Sequence, residues 1–113
     1  MVVTLNKGDN VQISSREINI TTQQESYRFQ TDQLLEVSIL KTDSGPKVDD
    51  QGLVLSMSSH DTFIIMSENP LYQRLIFEEM RWIFDLDFNN VLAASFSKGK
   101  GKFDLYRHER MIS

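Results

Sequence analysis

Lys98-Gly99-Lys100-Gly101-Lys102 is the sharpest chemical signal in the chain. Glycines let backbone N–H groups come close to an anion and three lysines add charge, so the spacing suits a phosphate. The phosphate-loop pattern of nucleotide hydrolases is not met, because its glycines are spaced differently and neither Ser nor Thr follows a lysine here. The same residues also make a plain hairpin tip, in which glycine permits positive φ and lysines keep an exposed edge from pairing with other chains. Phe103 and Tyr106 beside them would offer stacking surface to a nucleic-acid strand.

Other candidate chemistry falls short of a complete set. His60-Asp61 has the central dipeptide of metal-dependent HD phosphohydrolases, but the only other histidine is His108, so no earlier histidine completes a metal shell. Ser56, Ser58, Ser59 and His60 are neighbours on one predicted hairpin and cannot converge on one reacting atom. Asp43, Asp49 and Asp50 lack the glycine and terminal glutamate of a calcium loop. Glu79 falls near the middle of an apolar helix sector, where a desolvated carboxylate is a candidate general acid or base unless a cation meets it. The chain calls for no catalytic residue, no metal and no cofactor.

Val2 to Ser14 resembles the opening strand of tellurite-resistance calcium-binding domains of the TerD type, and Phe84-Asp85-Leu86-Asp87 resembles their acidic segment. The resemblance covers under a fifth of the chain, and its two pieces lie about seventy residues apart, farther than in that family. No calcium ligands are carried over from it.

The elements that must position these residues follow from hydrophobic periodicity. Val11 and Ile13, Ile18 and Ile20, then Tyr27 and Phe29 alternate with polar residues as half-buried strands do. Leu35, Val37 and Ile39 continue the pattern, Ser44-Gly45-Pro46 and Asp49 to Gly52 read as loop, and residues 53–57 and 62–66 read as a hairpin around Ser58 to Asp61. Pro70 to Leu86 then reads as a helix, with Asn69 as its N-cap and Pro70 in its first position. Tyr72, Leu75, Ile76, Ile83 and Leu86 share one broad sector, flanked by Leu71, Met80 and Trp82. Arg74, Glu78, Arg81 and Asp85 form a narrow polar stripe with two i,i+4 pairs. Phe77 and Phe84 project together beyond the apolar sector. Residues 91–96 and 103–106 read as a closing hairpin.

This order predicts an α+β fold: a mostly antiparallel β-sheet packed against one main α-helix at about 70–86, closing with a C-terminal β-hairpin, in a single domain over 1–113. The chain has 113 residues, a net charge of −4 and no cysteine, which removes disulfides and thiolate chemistry. Five basic residues against two acidic ones over 98–110 leave +3 there, so residues 1–97 carry −7. An acidic body disfavours broad nucleic-acid binding, with the basic C-terminal hairpin as the one place for it. No membrane-length apolar run and no signal-peptide pattern is present, and a cytoplasmic protein is the expectation.

The expected function is a non-catalytic protein-binding accessory module of the assembly, inhibitor or immunity type. Phe77, Phe84 and Trp82 would supply contact area on an aromatic-rich helix face, and Arg74 and Arg81 would tune orientation. The partner would be another protein or a second copy of the chain. The alternative is a phosphate, nucleotide or nucleic-acid-backbone binding module built on Lys98, Gly99, Lys100, Gly101 and Lys102.

Overall fold

Strict alternation in the first half of the chain becomes a set of short strands joined by turns that their own side chains close. A computed structural model describes residues 1–41, 51–97 and 100–108. Its strands are β1 (Val2–Leu5), β2 (Asn10–Ile13), β3 (Glu17–Thr21), β4 (Ser26–Gln30), β5 (Leu34–Lys41), β6 (Gln51–Met57), β7 (Thr62–Met66) and β8 (Gly101–Arg107). The Ser14 hydroxyl accepts from the backbone N–H groups of Arg16 and Glu17, and Thr22 does the same for Gln24 and Glu25. These side-chain turns set the two tight connections of the β2–β3–β4 meander. Between β1 and β2 the turn uses Gly8 at φ +96° and an Asp9 carboxylate that accepts from Asn6 N–H at 2.7 Å.

The strands form two sheets. One has five strands in the order β1-β7-β6-β5-β8, and the other is the β2-β3-β4 meander. All pairings are antiparallel except β1 with β7, which run parallel from Val2 opposite Thr62 to Leu5 opposite Ile65. The long excursion between those two strands gives the chain room to return in the same direction. Val37, Ile39, Leu53, Leu55, Phe63 and Ile65 point to one face of the large sheet and are fully buried. The meander covers that face at β7, where Tyr27 and Phe29 meet the Phe63 ring edge-on at 5.2 and 5.6 Å. On the other face Val54, Ile64 and Met66 are half-buried.

The helical region departs from the single helix expected at about 70–86. Asn69 does cap it, accepting from Leu71 N–H through its side chain at 3.1 Å, and Pro70 has helical φ. Helix α1 (Leu71–Arg74) then widens into a π-helical turn (Leu75–Glu79), in which Met80 N–H reaches back five residues to the Leu75 carbonyl at 2.8 Å. The chain leaves the helix at Met80 and passes through turns to Leu86.

The expected closing hairpin is also replaced. Its first arm is helix α2 (Phe88–Phe96), and β8 pairs with β5 instead. Asp87 makes the difference legible: its carboxylate caps Asn90 N–H at 3.2 Å, and Ala93 and Ala94 are strong helix formers. Lys41, at the end of β5, donates its ammonium to the Ala94 carbonyl at 2.9 Å and also to the Ser97 carbonyl, closing the C-terminus of α2. Asp87 N–H and the Asn90 side-chain amide in turn donate to the Leu105 and Asp104 carbonyls, at 2.8 and 2.7 Å, so the start of α2 covers the open edge of β8.

Candidate protein-interaction surface

The π turn sets where the helix side chains fall. A widened turn aligns residues five apart, so Arg74 meets Glu79 at 3.7 Å rather than the Glu78 expected from ordinary helical spacing. Its guanidinium also donates to the Asn10 side-chain oxygen at 2.8 Å and the Val11 carbonyl at 3.0 Å. Arg74 therefore ties the helix to β2, an internal role that the expectation of an orienting interface cation did not include. Glu79 is part-exposed beside this arginine, not in the middle of the core. Leu71, Tyr72, Leu75, Ile76 and Met80 fill the core as expected.

The two phenylalanines that looked alike in sequence part company. Phe84 is 7% exposed and stacks at a tilt on Tyr106 of β8, 4.8 Å between ring centres. It belongs to the core, because the chain has already left the helix and folds back there. Phe77 stays 45% exposed, and its ring lies 6.0 Å from Phe88 at the start of α2. Trp82 is 81% exposed. The Arg81 guanidinium sits 5.2 Å from the Trp82 ring centre and 5.8 Å from that of Phe88, tying the two by cation–π contacts.

Helix α2 adds residues that the sequence reading missed. Val91 and Ala94 face inward, while Leu92 is 57% and Phe96 83% exposed. Phe88, Leu92 and Phe96 are each four apart and form one row along the helix. Phe77, Arg81, Trp82, Phe88, Leu92 and Phe96 thus make one continuous, mostly aromatic surface. Reading 91–96 as a strand hid it; the signal was the i,i+4,i+8 spacing of these three residues behind an Asp87 cap.

The lysine–glycine segment takes a different shape from a hairpin tip. Lys98 and Gly99 lie outside the described residues, as does the acidic loop with Asp43, Asp49 and Asp50. Lys100 is exposed, while Gly101 and Lys102 are already inside β8. Lys102 is engaged by the fold: its ammonium pairs with the largely buried Glu36 carboxylate and lies 3.7 Å from Asp104. The hydrogen bond to Glu36 raises the Lys102 pKa above its usual 10.5, with further help from the charges of Glu36 and Asp104.

His60 is in the β6–β7 turn at φ +70°, and Asp61 accepts from the Ser59 hydroxyl at 2.8 Å and faces the terminal ammonium at 3.9 Å. Among the described residues no three His, Asp or Glu side chains stand where they could hold one metal ion. None of the described helices is long and apolar enough to cross a membrane. A polar cleft lies between β1 and the Thr22–Glu25 turn, lined also by Asn6, Asp9 and Tyr27. Compared with models of known protein families, with curated proteins and with solved structures, the chain matches none.

Proposed function

We propose that the protein is a non-catalytic binding module that acts by docking another protein surface on Phe77, Trp82, Phe88, Leu92 and Phe96. The observation that carries this reading is the exposure of Trp82 and Phe96, 81% and 83%, at the two ends of a single aromatic surface. Isolated exposed apolar residues are ordinary, but a contiguous aromatic set with an arginine among it has the composition of an interface centre. Trp and Arg are also the residues that most often carry binding energy there. Arg81 is exposed and held over two rings, which suits it to orient a partner.

The test is co-purification of the tagged wild type, a Trp82→Asp/Phe96→Asp variant and an Arg28→Asp control on the exposed β4 strand. The reading predicts protein that accompanies the wild type and the control and is lost from the double variant, with its melting temperature retained. Protein retained equally by all three contradicts it.

A further inference from the structure

The reading of the aromatic surface as a docking site leaves its occupant open, and α2 supplies three observations that bear on it. First, the helix Phe88-Asn89-Asn90-Val91-Leu92-Ala93-Ala94-Ser95-Phe96 carries no charged residue. A helix with one face in solvent ordinarily places charges there, and depletion of charge is the mark of an interface centre. Second, its outer row is Phe88, Leu92, Phe96, which reads the same in both directions about Leu92. The exposed residues beside the row, Asn89 and Ala93, are small enough to let a second backbone approach. Third, Phe77, Trp82, Leu92 and Phe96 at their observed exposures present on the order of 500 Å² of apolar surface, since large aromatic side chains bury about 150–250 Å² each. Doubled across a two-fold axis and fully covered, that comes to roughly 1,000 Å² in total, the lower bound for a biological interface.

We infer that the occupant is a second copy of this chain, packed antiparallel through α2 about a two-fold axis at Leu92. In that arrangement Leu92 meets its own counterpart, and each Phe88 meets Phe96 of the partner subunit. A two-fold interface must be complementary to itself, and here each end would pair the part-buried Phe88 ring, held against Phe77, with the projecting Phe96 ring of the other copy. The four-residue row on both helices fits the commonest class of helix packing, with axes crossing at about −50°.

The absence of cysteine makes the test direct. Leu92→Cys places a single thiol on the proposed axis. Under mild oxidation it gives a disulfide-linked dimer, whereas Gln24→Cys, on the exposed turn after β3, remains uncrosslinked. Phe88→Cys mixed with Phe96→Cys gives crosslinked heterodimer more readily than either variant alone. Light scattering shows a wild-type dimer, and Phe96→Asp weakens its dissociation constant roughly 30-fold, the loss of a hot-spot residue of about 2 kcal/mol. A monomeric wild type overturns the inference, as does a dimer that persists undiminished in Phe96→Asp while the Leu92→Cys variant stays uncrosslinked. If the wild type is monomeric yet Trp82→Asp/Phe96→Asp still loses its co-purifying protein, self-association fails while the protein-binding reading stands. If Phe96→Asp folds poorly, the Leu92→Cys crosslink and the wild-type mass decide the matter alone.

Discussion

The rings of Phe77 and Phe88 lie 6.0 Å apart, inclined by 33°, although one sits in the π turn and the other opens α2. This contact turns two short helical segments into one surface. The Arg81 guanidinium over the Phe88 ring makes a second link, which joins Trp82 to the row that Leu92 and Phe96 continue. Phe77 projects outward from the π turn, and the Asp87 cap starts α2 where Phe88 can meet it.

Phe84 and Phe96 should respond oppositely to truncation. Phe84→Ala removes a ring packed against Tyr106 in the core and is expected to lower stability by about 3–5 kcal/mol. Phe96→Ala, at 83% exposure, should stay within about 0.5 kcal/mol when measured at a concentration where the protein is monomeric. Urea denaturation of both variants checks the pair, and equal losses would show that the ring of Phe96 is part of the core.

Lys41 anchors α2 by donating to the carbonyls at its C-terminus. Lys41→Met keeps the aliphatic stem and removes the donors, so buried carbonyls lose their partner. The expected loss is about 1–3 kcal/mol, with faster hydrogen exchange confined to α2 and its neighbouring segment. Uniform acceleration over both sheets would mean that the lysine supports the whole core rather than the helix.

The Lys102–Glu36 pair should leave a pH signature. Lys102→Met strands a largely buried carboxylate, but the lysine itself is half exposed and water screens the pair, so the expected loss near neutral pH is at the low end, about 1–2 kcal/mol. Because the folded-state pKa of Lys102 lies above its unfolded value, this contribution is fully present below about pH 10 and is lost as pH rises through the folded value. The melting-temperature gap between wild type and Lys102→Met should therefore be constant from about pH 7 to 9 and shrink above about pH 10.5. A gap that widens with alkaline pH would contradict the pairing.

Much of the β structure was legible because its chemistry is local. Val11, Ile18, Ile20 and Phe29 alternate with polar neighbours, and the Ser14 and Thr22 turns close over three residues. Partners distant in sequence were not legible: the parallel return of β1 to β7 and the pairing of β8 with β5 join segments far apart in the chain, which no local pattern encodes. The helix was placed correctly at its start, where Asn69 and Pro70 act locally, and misjudged past Leu75. A wheel drawn at ordinary helical spacing loses register at the π turn, so Glu79 was drawn into the core and Phe84 out of it. Of the candidate surface, Phe77, Trp82 and Arg81 were picked out from sequence, while Phe88, Leu92 and Phe96 were obscured by reading an Ala-rich helix as a strand.

His60 offers a smaller test of the backbone. It holds φ +70° in the β6–β7 turn, a region that disfavours side chains with a Cβ, while its N–H donates to the Met57 carbonyl at 3.1 Å. His60→Gly relieves the strain and keeps the hydrogen bond, against some added freedom in the unfolded chain. A net gain of up to about 1 kcal/mol is expected from thermal or urea unfolding. A clear loss would show that the imidazole makes a stabilising contact.

The most direct test of the aromatic surface is site-specific photo-crosslinking, with a photoreactive side chain at position 96 compared with one at position 24. The account predicts protein adducts from position 96, to a second copy or to another protein, and next to none from position 24. Adducts equally abundant at both positions, or confined to position 24, would contradict it.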